Sequence, residues 1–434
     1  MKSYRSKSRM ALLILLLVGF VTLSVAGTVL AAITIDVWSE FSTDPRRSAI
    51  GDLVNEFNAA NPDIKVVHHP YENVAYITVM RTAVAAGKLP DIFMTGGSAD
   101  TALYAKTGVL FDLTDWYNDH KDLYMPGYED SISHKGKIYA LPWDGLVGNL
   151  IFYNPEIMDE LGIDPDLIEY WDEYLTALGK VKTAGYIPQA FANGGVGWLG
   201  GHFFNYLSMR YVPLDDVRKL VTNEGVDYLH PGFIEAAEVF VDLKDRGYLS
   251  PGVVSDARAI ARGKFVAGEA GFWQEGSWAL GYLKEDAPAD FKYDFMVFPK
   301  FKGAAGSQTV VTSANGDNWS VATSSKNKAE ALKFLEFIAQ AENAKKYVAK
   351  TRSLSLISGA LTQENATKEL LKVVEVLETH PEKFDWISNI ISPELRDGAY
   401  WPGVQGLLSG QLTPRELCEF INESYHELMP DWLS

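Results

Sequence analysis

Three short segments of the sequence place an aromatic side chain close to a carboxylate: Glu40–Phe41, Trp143–Asp144 and Glu275–Trp278. A pyranose presents one apolar C–H face and a belt of hydroxyl groups. An indole or phenyl ring can cover the apolar face and exclude water, while carboxylates accept hydrogen bonds from the hydroxyls. The residue types in these segments are therefore those of a site that recognises a polyol.

The first of these segments follows a predicted strand. Ile33–Trp38 alternates apolar and polar residues, a helix begins near Asp44-Pro45, and Ile64–Val67 is a second strand. Strand, helix and strand in this order predict a parallel sheet. Ligands meet such a sheet where its strands end, so Glu40 and Phe41 are candidate contacts.

A glycine pair follows the next predicted strand. Leu89–Met94 is largely apolar and leads to Gly96–Gly97, where the absence of side chains lets a ligand approach the backbone closely. The pair could equally be only a tight turn. The sequence contains neither Gly-x-Gly-x-x-Gly nor a P-loop lysine, so nothing in it favours a nucleotide.

The stretch from Gly263 to Leu280 contains the densest group of candidates. A helix is predicted to stop at Gly268, and Ala270–Trp273 is a short apolar strand. A turn with Ser277 as N-cap then starts a new helix and brings the indole of Trp278 to a strand end. The pattern leaves open whether Trp273 contacts a ligand or belongs to the core.

Length and composition favour a large soluble protein of two domains. The chain has 434 residues, 47% hydrophobic and 22% charged, which argues against disorder. Its net charge of −17 would repel nucleic acid and anionic lipid. Cys418 is the only cysteine, so the fold needs no internal disulfide.

The N-terminus reads as an export signal, residues 1–31. Four basic residues precede the apolar run Ala11–Val21, and cleavage is expected after Ala31, with Ala32 as the second choice. An uncleaved membrane anchor is the alternative. Either way we expect the protein outside the cytoplasm, in the periplasm or extracellular.

Four phrases of the sequence can be compared with known families. They are Phe265-x-x-Gly-Glu-Ala followed by Gly276-x-Trp278; Gly136-Lys-x-Tyr-x-x-Pro142 followed by Leu150-x-x-Tyr-Asn154; Ser325-Lys-Asn-Lys-x-x-Ala-x-x-Phe-Leu-x-Phe337; and the segment Leu408–Leu417. Together they resemble the sugar-binding proteins that serve bacterial ABC importers, the maltodextrin-binding type of family 1. The resemblance covers nearly the whole chain after the signal.

This resemblance implies an α/β fold of two lobes, the type II periplasmic-binding-protein fold, with three hinge crossings between the lobes. The crossings are expected at 136–154, 293–299 and 351–359. The first lobe would comprise residues 32–141 and 300–351, and the second lobe residues 142–299 and 352–434.

The resemblance also implies a mechanism. A di- or oligosaccharide would bind between the lobes, the lobes would close on it, and membrane permease subunits would recognise the closed form. In that family the tryptophan equivalent to Trp278 stacks on a sugar ring, and an aromatic residue near Trp401 does so in a looser register. We expect a monomer that binds no cofactor, no metal and no nucleic acid.

The candidate contacts combine both lines of reasoning, and Trp38 is held in reserve. They are Glu40, Phe41, Gly96, Trp143, Asp144, Trp273, Glu275, Trp278 and Trp401. Arg46 and Arg47 could bind a uronate, but two basic residues that open a helix usually face solvent.

Two other classes of protein remain possible from the sequence. A glycoside hydrolase needs two carboxylates about 5–9.5 Å apart, and Asp144, Glu269 and Glu275 could supply them. A binder of a polyamine, iron or a peptide is the second class. No His-Glu-x-x-His motif occurs.

Overall fold

The computed structural model of the protein describes residues 32–195 and 197–433, so the expected export signal lies outside the described residues. The strands are β1 (Ile33–Ser39), β2 (Ile64–Pro70), β3 (Ile92–Thr95), β4 (Ser133–His134), β5 (Lys137–Ile138), β6 (Leu141–Val147), β7 (Leu150–Tyr153), β8 (Ile187–Ala190), β9 (Ala270–Glu275), β10 (Asp294–Val297), β11 (Val311–Val321), β12 (Leu354–Ser355) and β13 (Lys383–Phe384).

The helices surround these strands on both faces. They are α1 (Arg46–Ala60), α2 (Asn73–Ala86), α3 (Ser98–Lys106), α4 (Thr114–His120), α5 (Pro155–Glu160), α6 (Trp171–Thr183), α7 (Trp198–Tyr211), α8 (Leu214–Val221), α9 (Pro231–Asp245), α10 (Arg258–Val266), α11 (Ala279–Asp286), α12 (Lys328–Ala339), α13 (Ala341–Thr351), α14 (Lys368–Thr379), α15 (Ile387–Ile390), α16 (Pro393–Leu395), α17 (Trp401–Ser409) and α18 (Pro414–Leu433). Short 3₁₀ turns span Lys121–Leu123, Glu129–Ile132 and Pro165–Leu167, and a π-helical turn spans Arg396–Tyr400. None of the described helices combines the length and the apolar character needed to cross a lipid bilayer.

Two sheets form the centres of two lobes. The first has the order β12-β6-β11-β3-β1-β2, with β13 also paired to β11, and the second has the order β10-β7-β9-β8. β1 pairs in parallel with both β2 and β3, as the strand–helix–strand pattern predicts. The predicted two-lobed α/β fold is therefore confirmed.

The first crossing between the lobes is the two-residue link from β6 to β7. Leu141–Val147 pairs with β11 and β12 of the first sheet, so this whole strand belongs to the first lobe and not to the second, as residues 142–147 were expected to. Gly148 then passes so close to the second lobe that a Cβ atom there would lie 2.4 Å from the Tyr206 hydroxyl. Only glycine fits this contact without a shift.

The second crossing lies later in the chain than the expected residues 293–299, because Phe298, Phe301 and Val310 still pack in the core of the second lobe. A buried arginine holds this segment there. Arg210 of α7 donates hydrogen bonds of 3.0–3.3 Å to the backbone carbonyls of residues 298, 299, 307 and 310. These carbonyls lie on the segment that leads from β10 to β11. The guanidinium group thus satisfies backbone acceptors that the crossing leaves outside a sheet.

The third crossing lies further along the chain than residues 351–359. β12 within that range pairs with β6 of the first sheet, and β13 pairs with Val311 and Thr312 of β11. The chain therefore contacts the first sheet as far as residue 384 and enters the core of the second lobe at Trp386. Short pairings between segments so distant in sequence have no local signal.

Candidate functional site

A cavity of about 1050 Å³ lies between the two lobes and takes its lining from both. Residues from the first lobe include Glu40, Phe41, Arg46, Asn73, Gly96, Asp100 and Asp317. Residues from the second lobe include Asn193, Trp198, His202, Arg258, Trp278, Tyr282, Trp386, Arg396, Trp401 and Gln405. The second lobe contributes all the tryptophans of the lining, whereas the first lobe contributes carboxyl groups together with smaller rings and aliphatic side chains.

The first-lobe wall is built around Arg46 at the start of α1. Its guanidinium group lies 3.3 Å from the Asp144 carboxylate and 3.1 Å from that of Asp317. It also lies over the Phe41 ring, 4.9 Å from the centroid. Asp144 is fully buried, and it accepts a further hydrogen bond of 2.8 Å from the Tyr347 hydroxyl. Arg46 is therefore held rigidly in the cleft wall, and Asp144 supports it from behind.

Glu40 lies beside this group at the end of β1. Its carboxylate accepts a 2.6 Å hydrogen bond from the Asn73 side chain. Burial, reinforced by the nearby Asp317 charge, raises the pKa of Glu40 to about 8. Burial likewise raises the pKa of Asp144 to about 7, although the Arg46 charge opposes it. This wall therefore concentrates carboxyl groups where water is scarce.

Trp278 is held at the second-lobe wall by two neighbours in sequence. Its indole Nε1 donates a hydrogen bond to the Glu275 carboxylate. The same carboxylate accepts two hydrogen bonds from Arg258, of 2.7 and 3.1 Å. The ring lies against Gly276, where a Cβ atom would come within 2.4 Å of it. The glycine two residues before the tryptophan is therefore required by the position of the ring.

Ser277, which lies between Gly276 and Trp278, has a different role from the predicted one. Ser277 does not cap the following helix, which begins at Ala279. Its hydroxyl instead accepts a 3.0 Å hydrogen bond from the Val147 backbone N–H, at the end of β6. The turn that carries Trp278 is thereby fastened to the first crossing between the lobes.

Other rings continue the wall from Trp278. Trp198 meets Trp278 edge to face, with centroids 5.8 Å apart and planes at 74°. His202 is stacked on the fully buried Trp386, with centroids 4.7 Å apart, and burial lowers the pKa of His202 to about 3, so the imidazole is neutral. Trp401 carries the Arg396 guanidinium over its ring, 4.8 Å from the centroid.

Five of the nine predicted site residues line the cavity. They are Glu40, Phe41, Gly96, Trp278 and Trp401. Asp144 and Glu275 are buried directly behind the wall, where they hold Arg46 and Arg258. Both act through the arginines and not by contact with the cavity.

Two of the predicted tryptophans are core residues. Trp143 is 1% exposed and packs against Tyr347, with ring centroids 4.8 Å apart. Trp273 is also 1% exposed and packs between Phe152 and Phe265. The reserve candidate Trp38 packs on Tyr71 and does not line the cavity.

The arginines at the start of α1 differ from each other. Arg47 is 53% exposed and pairs with Asp44, as two basic residues opening a helix are expected to do. Arg46 lines the cavity instead, which corrects the expectation that it faces solvent. The cause is tertiary, because its two carboxylate partners come from β6 and β11.

Sequence reasoning did not single out several lining residues, among them Trp198, Trp386, Arg258 and Arg396. Trp198 lies at the start of α7, within a stretch rich in glycine and aromatic residues that could have been either a packed turn or the edge of a ligand site. Arg396 had no local signal for its place in the cleft, because its partner Asp100 is almost three hundred residues away in sequence.

Two α/β lobes, three crossings and a ring-lined cleft between them define a two-lobed ligand-binding protein. Among the described residues, no group of three or more His, Cys, Asp or Glu is arranged to hold a metal ion.

Comparison with known proteins gives the family. The family model of the bacterial extracellular solute-binding proteins matches residues 42–345, and the chain belongs to this family. An uncharacterised ABC transporter extracellular-binding protein of Pyrococcus horikoshii is 26% identical over 296 residues, which span 64% of this chain and 66% of that relative. The sn-glycerol-3-phosphate-binding periplasmic protein UgpB of Escherichia coli is 22% identical over 80% of each chain. A solved chitin oligosaccharide binding protein shares the fold with a TM-score of 0.83 at 23% identity, over 92% of this chain and 99% of that one.

Proposed function

We propose that this protein is the exported substrate-binding component of an ABC importer and that it binds a neutral di- or oligosaccharide between its lobes. The observation that carries this proposal is the combination of aromatic and hydrogen-bonding side chains that the two lobes bring to the cleft. Trp198, Trp278 and Trp401 supply ring faces from the second lobe. Glu40, Asp317 and Asn73 supply hydrogen-bonding groups from the first lobe. A sugar can place its C–H face on an aromatic ring while its hydroxyls form hydrogen bonds with the polar side chains.

The charges of the cleft favour a neutral ligand over an anion. Each arginine that lines the cavity is paired with a carboxylate. The pairs are Arg46 with Asp144 and Asp317, Arg81 with Asp397, Arg258 with Glu275, Arg262 with Asp286, and Arg396 with Asp100 and Asp397. A phosphate or uronate would have to displace one of these internal partners. It would also meet Glu40, which adds a further carboxyl group to the same wall.

The relatives support the wider role. The Pyrococcus relative is named as an extracellular-binding protein of an ABC transporter, and the similar solved structure is named for chitin oligosaccharides. They support export, a carbohydrate ligand and delivery to a permease in the membrane. We propose in addition that the protein acts as a monomer. We also carry forward two lobes, with residues 142–147 and 352–384 assigned to the first lobe and residues 300–310 to the second.

Catalysis receives less support from the geometry than binding does. Of the three carboxylates considered for hydrolysis, Asp144 and Glu275 are buried in ion pairs with Arg46 and Arg258. Glu269 is exposed and does not line the cavity. The family itself is one of solute-binding proteins. Incubation with labelled oligosaccharides should return them intact.

The test of this proposal is titration calorimetry with matched ligands. A neutral oligosaccharide should bind with a dissociation constant in the micromolar range or tighter, which corresponds to about −8 kcal/mol or more. The same oligosaccharide carrying a uronic acid, and sn-glycerol 3-phosphate, should bind at least about tenfold more weakly, because no cleft arginine is free to pair with them. Tight binding of either anion would contradict the charge argument.

A second prediction concerns how Trp278 is positioned. Gly276→Ala should weaken binding of the same neutral oligosaccharide by about fivefold or more, since moving an overpacked side chain costs typically about 1–3 kcal/mol. Intrinsic tryptophan fluorescence should change as well, because the indole must leave its present place. Gly263→Ala is the control, since the space around Gly263 in α10 is open and the change should leave both readouts unaltered. Equal affinity of the two variants would show that the ring contributes little.

A further inference from the structure

A chain of four charged side chains bridges the two lobes at one edge of the cleft. Arg396 of the second lobe donates two hydrogen bonds to Asp100 of α3, of 2.9 and 3.0 Å. Arg396 also pairs with its neighbour Asp397, at 2.8 Å. Arg81 of α2, in the first lobe, reaches back to Asp397. Acid and base thus alternate across the gap.

The central pair of this chain is well shielded from water. The Arg396 side chain is 6% exposed and that of Asp100 is 24% exposed. Two parallel hydrogen bonds between a guanidinium group and a carboxylate are the strong form of such a contact. The pair forms only when the lobes are close together, because Asp100 follows β3 of the first sheet and Arg396 lies among residues of the second core.

The same arginine connects the pair to the ligand site. Its guanidinium group lies over the Trp401 ring, and Trp401 in turn rests on Gly201, where a Cβ atom would come within 2.5 Å of it. Gly96, another lining residue, lies beneath Asp100, where a Cβ atom would come within 2.7 Å of its carboxylate. Arg396 therefore packs on Trp401 and Asp100 packs on Gly96, and both of these contacted residues line the cleft.

Neighbouring contacts show that the lobes meet along this edge. The Ser98 hydroxyl donates a 3.1 Å hydrogen bond to the Asn389 carbonyl, and the Asn389 side chain lies against Gly97. These contacts are uncharged and short. Asp100 lies on the same helix, α3, as Ser98. Its ion pair with Arg396 therefore adds an electrostatic attraction to these uncharged contacts between the lobes.

We propose that the Asp100–Arg396 pair is a latch that stabilises the closed form and positions Trp401 against the bound ligand. This proposal rests on the proposed function for the nature of the ligand. The proposed latch predicts a salt dependence of affinity that contacts with an uncharged ligand would not produce. Affinity for an uncharged sugar should fall as ionic strength rises, because salt stabilises the two separated, solvent-exposed charges of the open form more than it affects the shielded pair of the closed form.

The decisive comparison is Asp100→Asn, which removes one charge and keeps the shape. Calorimetry at 20 and 500 mM NaCl should show affinity of the original protein for a neutral oligosaccharide falling with salt. The variant should bind roughly tenfold more weakly at low salt, within the range typical of such coupling. It should also depend less on salt than the original protein, although the Arg81–Asp397 contact between the lobes remains. Asp215→Asn is the matched control, because Asp215 pairs with Arg218 on the outside of the second lobe.

Small-angle scattering without any sugar tests the latch separately from the function. At low salt the original protein should have a smaller radius of gyration than Asp100→Asn, and high salt should remove the difference. Thermal unfolding of both proteins would verify that each is folded. Equal salt dependence of the radius of gyration in the two proteins would overturn the latch, whereas failure of every sugar to bind would overturn only the proposed function.

Discussion

Replacing Trp278 by alanine is expected to weaken binding of the neutral oligosaccharide by at least about tenfold. The indole is locked in place by its hydrogen bond to Glu275 and by edge-to-face contact with Trp198. Its face is thus offered to the cleft without the entropic cost of ordering it. Aromatic contacts contribute roughly 0.5–1.5 kcal/mol beyond the area they bury, so losing both contributions exceeds a factor of ten. Calorimetry measures the change directly.

Trp38→Ala supplies the control for this prediction. Trp38 is also a partly exposed tryptophan, but it packs on Tyr71 in the first lobe, away from the cavity. The Trp38→Ala substitution should lower the free energy of unfolding somewhat and leave the affinity for the neutral oligosaccharide unchanged. Unaltered affinity in Trp278→Ala, with the fold intact, would remove Trp278 from the site.

The sequence predicts well those parts of the site that are local in the chain. The order of helix, strand and turn between residues 258 and 278 is as expected, although β9 extends to Glu275 and Ser277 does not cap the next helix. Glu40 and Phe41 are likewise located by the end of β1, where a parallel sheet exposes its ligand-binding edge. Short-range rules suffice for positions of this kind.

Trp143, which was expected to line the cleft, and Trp273, whose place in the cleft or the core was left open, show the limit of such rules. Trp143 and Trp273 both lie on strands next to polar residues, a pattern that fits a strand end at a ligand site equally well. What decides their role is the layer that covers each strand face. Tyr347 of α13 covers Trp143, and Phe265 of α10 covers Trp273. That packing depends on contacts between distant elements, so strand alternation alone cannot reveal it.

Arg46 and Arg47 show the same limit for charge. The two residues are adjacent and chemically identical, yet one is exposed and the other lies in the cleft wall. The difference is made by Asp144 and Asp317, which are about a hundred and almost three hundred residues away in sequence. The local sequence at the start of α1 therefore does not predict that these carboxylates pack against Arg46.

Arg46→Met is expected to destabilise the protein by about 3–5 kcal/mol at pH 8, because it leaves two buried carboxylates without their cation. Asp144 is fully buried and Asp317 is 6% exposed, so water cannot replace the lost charge. Methionine fills much of the volume of the arginine stem, which confines the effect to electrostatics. Urea unfolding measured across pH 5–8 would report it.

The dependence on pH identifies the cause. The folded-state pKa of Asp144, about 7 with Arg46 present, is already above its unfolded value of about 4, and removal of the cation must raise it further. A folded state that binds more protons than the unfolded state loses stability as the pH rises through the folded pKa. The deficit of Arg46→Met should therefore be largest near pH 8 and shrink toward pH 5. Arg47→Met, whose partner Asp44 is exposed, should be close to neutral at every pH. A deficit in Arg46→Met that did not vary with pH would mean that lost packing, and not the stranded carboxylates, is responsible.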